Sequence, residues 1–255
     1  MLNLSVVVLT RNEEKNIEDC LKSVFGWADE IIVVDDESTD KTLEIAVRYA
    51  GKIVKRKMDN EGRHRNFAYA QAGNEWVLSL DADESVTPEL KREIEKAILS
   101  ETSVAFSIPL RNYIGSYRVR YGGWYPASKV RLFKKDKFRY EEAEVHPRVF
   151  IEGECGHLKS DIVHKGYPDL EHFVNSVNRQ STLEAVKWVN TGRRMSLPHA
   201  MWRASDRFFR RYIRKKGYKD GLYGFIIAFF DTLYQILSYA KYIEMKNNLK
   251  ERSTR

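Results

Sequence analysis

Asp81-Ala82-Asp83 sets two carboxylates one residue apart, directly after the apolar run Trp76-Val77-Leu78-Ser79-Leu80. A short apolar run that ends abruptly in polar residues reads as a buried strand. In a parallel α/β sheet, ligands bind beyond the carboxyl ends of the strands. An acid pair placed there can hold a hard divalent cation against a substrate diphosphate, because hard oxygens are the proper ligands of such ions. Taken alone the pair is unspecific, since carboxylates also cap helices. Its meaning depends on what else the chain brings to the same edge.

Other residues with chemical capacity precede and follow it. Asp35-Asp36 closes a second apolar run from Glu30 to Val34; Ser38 or Thr39 is the expected cap of the next helix, and a solvated acidic loop with Ser38 and Asp40 as caps is the competing reading. Arg65 lies in the basic loop Arg63-His64-Arg65-Asn66, and a guanidinium fork near a helix start suits phosphate oxygens. A plain surface charge is the competing reading. Tyr140-Glu141-Glu142-Ala143-Glu144-Val145-His146 offers three acids. On a strand, Glu142 and Glu144 share one face and Glu141 points away. Either could take a proton from an acceptor hydroxyl, or simply charge an edge strand against pairing. His164 follows the β run Asp161-Ile162-Val163, while His146 is ambiguous.

The elements that must position these groups alternate. Leu4 to Leu9 reads as a strand, followed by the polar loop Thr10-Arg11-Asn12-Glu13 and a helix through Ile17, Cys20, Leu21 and Val24. A strand from Glu30 to Val34, a helix through Leu43 and Val47, a short strand near Ile53, a helix with Phe67 and Ala70, and the Trp76 strand complete the series. Three strand–helix alternations are the pattern of a parallel, doubly wound sheet. Pro88 then opens a helix through Leu90, Ile94 and Ile98. Residues 104–164 read as short antiparallel strands and loops, and the remainder as helices.

The chain has 255 residues, enough for one large α/β domain with an appendage. Its net charge of +7 is unevenly spread: fifteen basic and five acidic residues lie from Arg193 onward, against 28 and 31 before it. A basic tail argues for docking on an anionic surface and against a nucleic-acid groove running through the molecule. In that tail Met201, Trp202, Phe208, Phe209, Tyr212 and Ile213 are expected on one helix face, with arginines on the others. Leu222 to Ala240 is apolar and nearly of spanning length, but Asp231 and Gln235 interrupt it. Lying on a membrane, or packing on the chain or on another copy, fits better than crossing. Cys20 and Cys155 lack metal spacing, and the N-terminus lacks a signal-peptide pattern, so a cytoplasmic chain with reduced thiols is expected.

Val6-Val7-Val8-Leu9-Thr10-Arg11-Asn12-Glu13, Val33-Val34-Asp35-Asp36-Glu37-Ser38-Thr39-Asp40, Arg65-Asn66 and Leu80-Asp81-Ala82-Asp83-Glu84 occur in order and at suitable spacing. Together they resemble glycosyltransferase family 2. Val145-His146-Pro147 and the basic tail are similar to the lipopolysaccharide-core β-glucosyltransferases of that family, although those enzymes usually carry an acid where Pro147 stands. The resemblance implies a GT-A fold: a Rossmann-like, mostly parallel sheet flanked by helices, a smaller antiparallel part, and a helical C-terminal extension. It implies a domain over 1–192, with a nucleotide-binding half to residue 100 and an acceptor half beyond, and an extension over 193–255.

By the same resemblance Asp83 would bind a divalent Mn2+ or Mg2+ directly, and Asp81 would hold the ribose or the metal's water. His164 would be a further metal or phosphate ligand. Asp36 would contact the base, with Thr10, Arg11 and Glu13 lining the nucleotide pocket and Arg65 at the diphosphate. Glu144, or else Glu142, would be the catalytic base. The expected reaction moves a hexose, glucose first, from a UDP-sugar to a glycolipid such as lipopolysaccharide core, at the inner face of the cytoplasmic membrane. Another cell-envelope transferase using a different nucleotide sugar, a nucleotidyltransferase and a non-catalytic membrane adaptor are the alternatives. No glycine-rich phosphate loop supports the nucleotidyltransferase.

Overall fold

Leu4-Ser5-Val6-Val7-Val8-Leu9-Thr10 forms β1 (Leu4–Thr10), a strand covered on both faces, as a run of β-branched residues with almost no polar alternation requires. A computed structural model describes residues 2–142 and 148–253. The chain divides into two compact units, one running to Arg111 with Ala127–Gly166, the other Asn112–Pro126 with Tyr167 onward.

In the first unit, β1 is followed by α1 (Ile17–Val24), β2 (Glu30–Asp35), α2 (Thr42–Ala46), β3 (Lys52–Lys55), α3 (Glu61–Ala70) and β4 (Trp76–Asp81). Next come β5 (Glu84–Val86), α4 (Pro88–Ser100) and β6 (Ala105–Ile108). β7 (Leu110–Ile114) and β8 (Tyr117–Arg118) form a hairpin, and β9 (Lys129–Lys134), β10 (Phe138–Tyr140), β11 (Val149–Ile151), β12 (Cys155–His157) and β13 (Ile162–Tyr167) follow.

The main sheet runs β12-β6-β9-β4-β1-β2-β3. β4, β1, β2 and β3 are mutually parallel, as the strand–helix alternation predicts, while β9 is antiparallel to both β4 and β6. Ile17, Cys20, Leu21 and Val24 of α1 and Leu90, Ile94 and Ile98 of α4 pack on the sheet with no solvent contact to speak of. Each such aliphatic side chain contributes about 1.5–3 kcal/mol. Thr87 caps α4 by accepting from the Leu90 N–H, with Pro88 in the first turn.

Two local readings change. Arg63 to Asn66 lie on α3 and not in a loop, because Asn60 caps a helix that begins at Glu61 by accepting from the Arg63 N–H. Neither Ser38 nor Thr39 caps α2; the Asp40 carboxylate accepts from the Thr42 N–H, and Ser38 Oγ instead accepts from the Asn12 N–H.

The second unit holds the β7–β8 hairpin from Asn112 onward and α5 (Leu170–Asn190), α6 (Leu197–Phe209) and α7 (Gly221–Ser253). Within this unit α5 packs against α7. The buried seam runs through Ser181 and Ala185 of α5, Ala200 and Ala204 of α6, and Ile227, Ala228, Gln235 and Ser238 of α7. Large rings lie on it too: Trp188 of α5 packs against Tyr242 of α7, and Phe173 of α5 against Phe230 of α7. Leu222, Phe225 and Phe229 are exposed, as are Met201, Trp202, Phe209 and Ile213. The α7 region is the one stretch of the described residues long and apolar enough to cross a membrane. Two of its polar side chains meet partners within this unit: Arg203 Nε donates to Gln235 at 2.9 Å, and Arg211 pairs with Asp231.

Candidate functional site

The carboxyl ends of β4, β1 and β2 lie side by side. Leu9 stands opposite Asp81 across the β1–β4 ladder, and Thr10 opposite Asp35 across β1–β2. The Asp36 N–H donates to the Thr10 carbonyl at 2.9 Å, and the Ala82 N–H to the Leu9 carbonyl at 3.0 Å. Sheet register alone therefore brings Asp36, Asp81 and Asp83 to one edge, where the chain leaves the sheet and ligands bind in such folds.

Asp81 is clamped between two arginines. Its Oδ1 lies 3.1 Å from Arg65 Nη2, and its Oδ2 lies 2.6 Å from Arg131 Nη2. Burial by itself would raise this carboxyl; the charges of Arg131 and then Arg65 outweigh it and hold the group well below the usual carboxylate range. Arg131, projecting from β9, is fully buried and also pairs with the fully buried Glu84. Glu84 in turn accepts from the Asp81 N–H at 3.0 Å. Burial pushes the Glu84 carboxyl up, against the pull of Arg131.

Asp83 has different company. β13 pairs antiparallel with β5, setting His164 opposite Glu84, and the Lys165 N–H donates to the Asp83 carbonyl at 2.9 Å. That register carries His164 Nε2 to 3.2 Å from Asp83 Oδ2, with both side chains part-exposed. Burial lowers the imidazole's affinity for a proton, but the hydrogen bond and charge of Asp83 win and raise it.

Glu13 lies on the same side. Burial, and behind it the charges of Asp83, Asp40 and Asp81, push its carboxyl up, against the hydrogen bond from Asn16. Among the described residues no three His, Cys, Asp or Glu side chains close around one point. A small hard cation does not require this, since it is often bound through one or two carboxylates with substrate phosphates and water. Asp83 fits that donor set, and His164 beside it could add a nitrogen ligand; Asp81, with both oxygens in ion pairs, is better suited to hold its arginines.

The other sequence candidates are placed as follows. Thr10 ends β1, buried, with its Oγ1 lacking any hydrogen-bond partner. Asp36 is buried, accepting from Arg11 Nη1 at 2.9 Å and from the Met58 N–H at 2.8 Å. Arg65 keeps a buried Nη1 without a partner. Together with Lys129, Arg131 and Tyr140 it lines a cavity of about 390 Å3, a concave wall with three cations. Glu142 lies outside that wall, on the surface, 3.3 Å from Arg63 Nε. Glu141 pairs with Arg148 and is lowered to about 2 by that contact. Strand β10 ends at Tyr140, so neither acid sits on a strand face. Glu144 and His146 lie outside the described residues.

Arg131, Glu84 and Lys129 were not singled out by motif reasoning. The available signal was the run Val130-Arg131-Leu132-Phe133, because an arginine inside an otherwise apolar strand demands a buried acid partner.

The family model for glycosyl transferase family 2 matches residues 5–152. A lipopolysaccharide core biosynthesis glycosyltransferase, LpsC of Rhizobium meliloti, is 27% identical, covering 98% of this chain and 95% of its own. A glycosyltransferase of Rickettsia typhi, itself uncharacterised, is 29% identical over 99% of this chain and 90% of its own. Among solved structures, a mannosyltransferase from Pyrobaculum calidifontis in complex with GDP-Man and Mn2+ covers 94% of this chain and 87% of its own, with a TM-score of 0.51 and 14% identity. That last likeness bears out the GT-A fold class.

Proposed function

This chain belongs to glycosyl transferase family 2 and is a glycosyltransferase, and we propose that it transfers a hexose, glucose first, from a UDP-sugar to a glycolipid at a membrane surface. The observation that carries the reading is the shared edge of β4, β1 and β2, with acids and arginines gathered beside a cationic cavity. The lipopolysaccharide-core role named for the Rhizobium relative supports a glycolipid acceptor.

Each residue then has a task. Arg65, with an unpartnered buried nitrogen, takes a diphosphate oxygen, as a guanidinium fork is built to do. Asp81 holds Arg65 and Arg131 in place. Asp36 accepts a hydrogen bond from the uracil N–H, with Thr10, Arg11 and Glu13 lining the same nucleotide pocket. Asp83 and His164 would hold a divalent Mn2+ or Mg2+, whose Lewis acidity offsets charge on the departing diphosphate. Glu144, or Glu142 in second place, accepts the acceptor hydroxyl's proton as the new bond forms opposite the leaving group, which inverts the anomeric centre.

The second unit supports the membrane-docking part of this reading. Trp202, Phe209 and Leu222 are 65%, 61% and 69% exposed, far more than packing residues. Ring contacts link Phe209, Phe208, Phe225 and Phe229 into one ridge. Arg210, Arg214, Lys215 and Lys216 are exposed beside it. Aromatic side chains flanked by cations suit an anionic bilayer surface, which supports the reading of a peripheral chain at the inner face of the cytoplasmic membrane.

The test is release of nucleoside diphosphate by the purified chain across UDP-, GDP- and dTDP-sugars, with and without Mn2+. UDP-glucose is expected to turn over with metal present. Turnover of GDP-mannose with UDP-glucose inert would overturn the donor.

A further inference from the structure

A second cavity, of about 890 Å3, lies wholly within the second unit, and none of the chemistry above uses it. Its volume is in the range of small-molecule sites, roughly 300–1,000 Å3. Tyr113, Tyr117 and Tyr121 supply flat rings, and Arg118, Arg120 and Lys219 supply positive charge. Asp220 is the single acid in the lining, and it is already spent. It is buried, accepting from the N–H groups of Arg120 and Tyr121 at 3.0 and 2.7 Å and from the Tyr117 hydroxyl at 3.2 Å. Its work is to fix the 117–121 segment, and it leaves the cavity positive.

The rings are held in turn. Tyr117 stacks on Tyr223 with centroids 4.1 Å apart and planes 1° from parallel. Lys219 Nζ lies 5.5 Å from the centre of the Tyr121 ring. Arg120 and Lys219 are exposed, with no carboxylate in ion-pair reach among the described residues. A site with tyrosine faces, phenolic hydroxyls and two uncompensated cations matches a ligand that is part sugar ring and part dianion. Tyr218 and Leu222, which flank Lys219 and Asp220 along the chain, are exposed, and Tyr218 joins the apolar ridge through the Tyr212 ring.

We propose that this cavity binds a phosphorylated saccharide, its sugar face on the tyrosine rings and its phosphate taken by Arg120 and Lys219. It rests on the glycolipid-acceptor reading and deepens it: the acceptor is recognised through a sugar phosphomonoester near its lipid anchor.

The experiment is calorimetric titration of the full chain with mannose 6-phosphate, with mannose, inorganic phosphate and glycerol 1-phosphate as comparison probes. Mannose 6-phosphate is expected to bind about tenfold or more tighter than any of the three, since ring and phosphate contacts act together. Arg120→Ala and Lys219→Ala should each weaken it by about tenfold or more, as loss of a charge-assisted contact does. UDP binding by both variants should equal that of the parent, which also shows that they fold. Equal affinity for glycerol 1-phosphate would overturn the saccharide assignment in favour of a plain lipid headgroup, and equal affinity for inorganic phosphate would overturn it in favour of a bare anion site. Variants that bind mannose 6-phosphate like the parent would overturn the cavity itself. Absent UDP binding by the parent chain would count against the donor reading instead, which keeps the two failures apart.

Discussion

Arg131 Nη2 lies 2.6 Å from Asp81 Oδ2, and the same nitrogen reaches Glu84. One fully buried guanidinium therefore compensates two carboxylates where β4 and β9 meet. Removing one member of a buried ionic group leaves the others as uncompensated charge, at a cost of about 3–5 kcal/mol. Arg131→Met should destabilise the chain by that amount in urea unfolding, although methionine fills much of the volume. A loss below about 1 kcal/mol would mean that Arg65 alone neutralises the acids.

Asp83 tells a different story. It is part-exposed with a single histidine partner, so Asp83→Asn should change stability by no more than about 1 kcal/mol. Sugar transfer should nevertheless fall at least about a hundredfold, as it does when charge stabilisation of a leaving group is lost. Chelation with EDTA should have the same effect on the parent, reversed by Mn2+ or Mg2+. Near-normal turnover by Asp83→Asn, or indifference to EDTA, would remove the metal role given to this residue.

The sheet and the acid pair were legible because they rest on local rules. Apolar runs ending in Asp35 and Asp81 define strand ends, and parallel topology then aligns those ends. The partners of those acids were not legible in the same way. Arg131 is 50 residues beyond Asp81, and only the antiparallel register of β9 on β4 brings them together. His164 likewise reaches Asp83 through the β5–β13 pairing, 81 residues along the chain. In the helical unit, the apolar stretch Leu222 to Ala240 is divided between faces: Leu222, Phe225 and Phe229 are exposed, whereas Ile227, Ala228 and Ser238 are buried. Periodicity finds a stripe; it does not say whether protein or another phase covers it.

His64 gives the fold a pH dependence. The ring is buried on α3, with Nδ1 2.9 Å from Arg56 Nη1. Burial, reinforced by the Arg56 charge, pushes the imidazole below its ordinary value near 6.5. The folded state thus binds fewer protons than the unfolded one. Its contribution to stability is complete above the unfolded value and is lost as pH falls through it toward the folded one. Urea unfolding at pH 7.5 and 5.5 should show the parent losing stability on acidification, and His64→Gln losing less. Identical losses in both proteins would place the titration elsewhere.

Gly224, in the first turns of α7, has no room for a side chain. A methyl group there would fall on the Gly217 carbonyl oxygen, a backbone atom that cannot rotate away. Gly224→Ala would ordinarily favour a helix, by up to about 1 kcal/mol. Here overpacking should reverse the sign, with a net loss of about 1–3 kcal/mol seen as a lower melting temperature. A stabilised variant would show that the two segments separate freely.

The exposed ridge yields the last test. Trp202 is 65% exposed on α6, and the cations beside the ridge contribute about 1 kcal/mol each near an anionic lipid surface. Vesicles containing phosphatidylglycerol should co-sediment the chain and shift its tryptophan emission to the blue, whereas phosphatidylcholine alone should bind it weakly. Trp202→Ser with Phe209→Ser should weaken sedimentation at every salt concentration, because apolar burial is not screened. Arg214→Gln with Lys215→Gln should weaken it chiefly at low salt, where charge acts over more than a Debye length of about 10 Å. Association that ignores both pairs, or a chain that dimerises through the ridge in the absence of lipid, would assign this face to another copy of the protein.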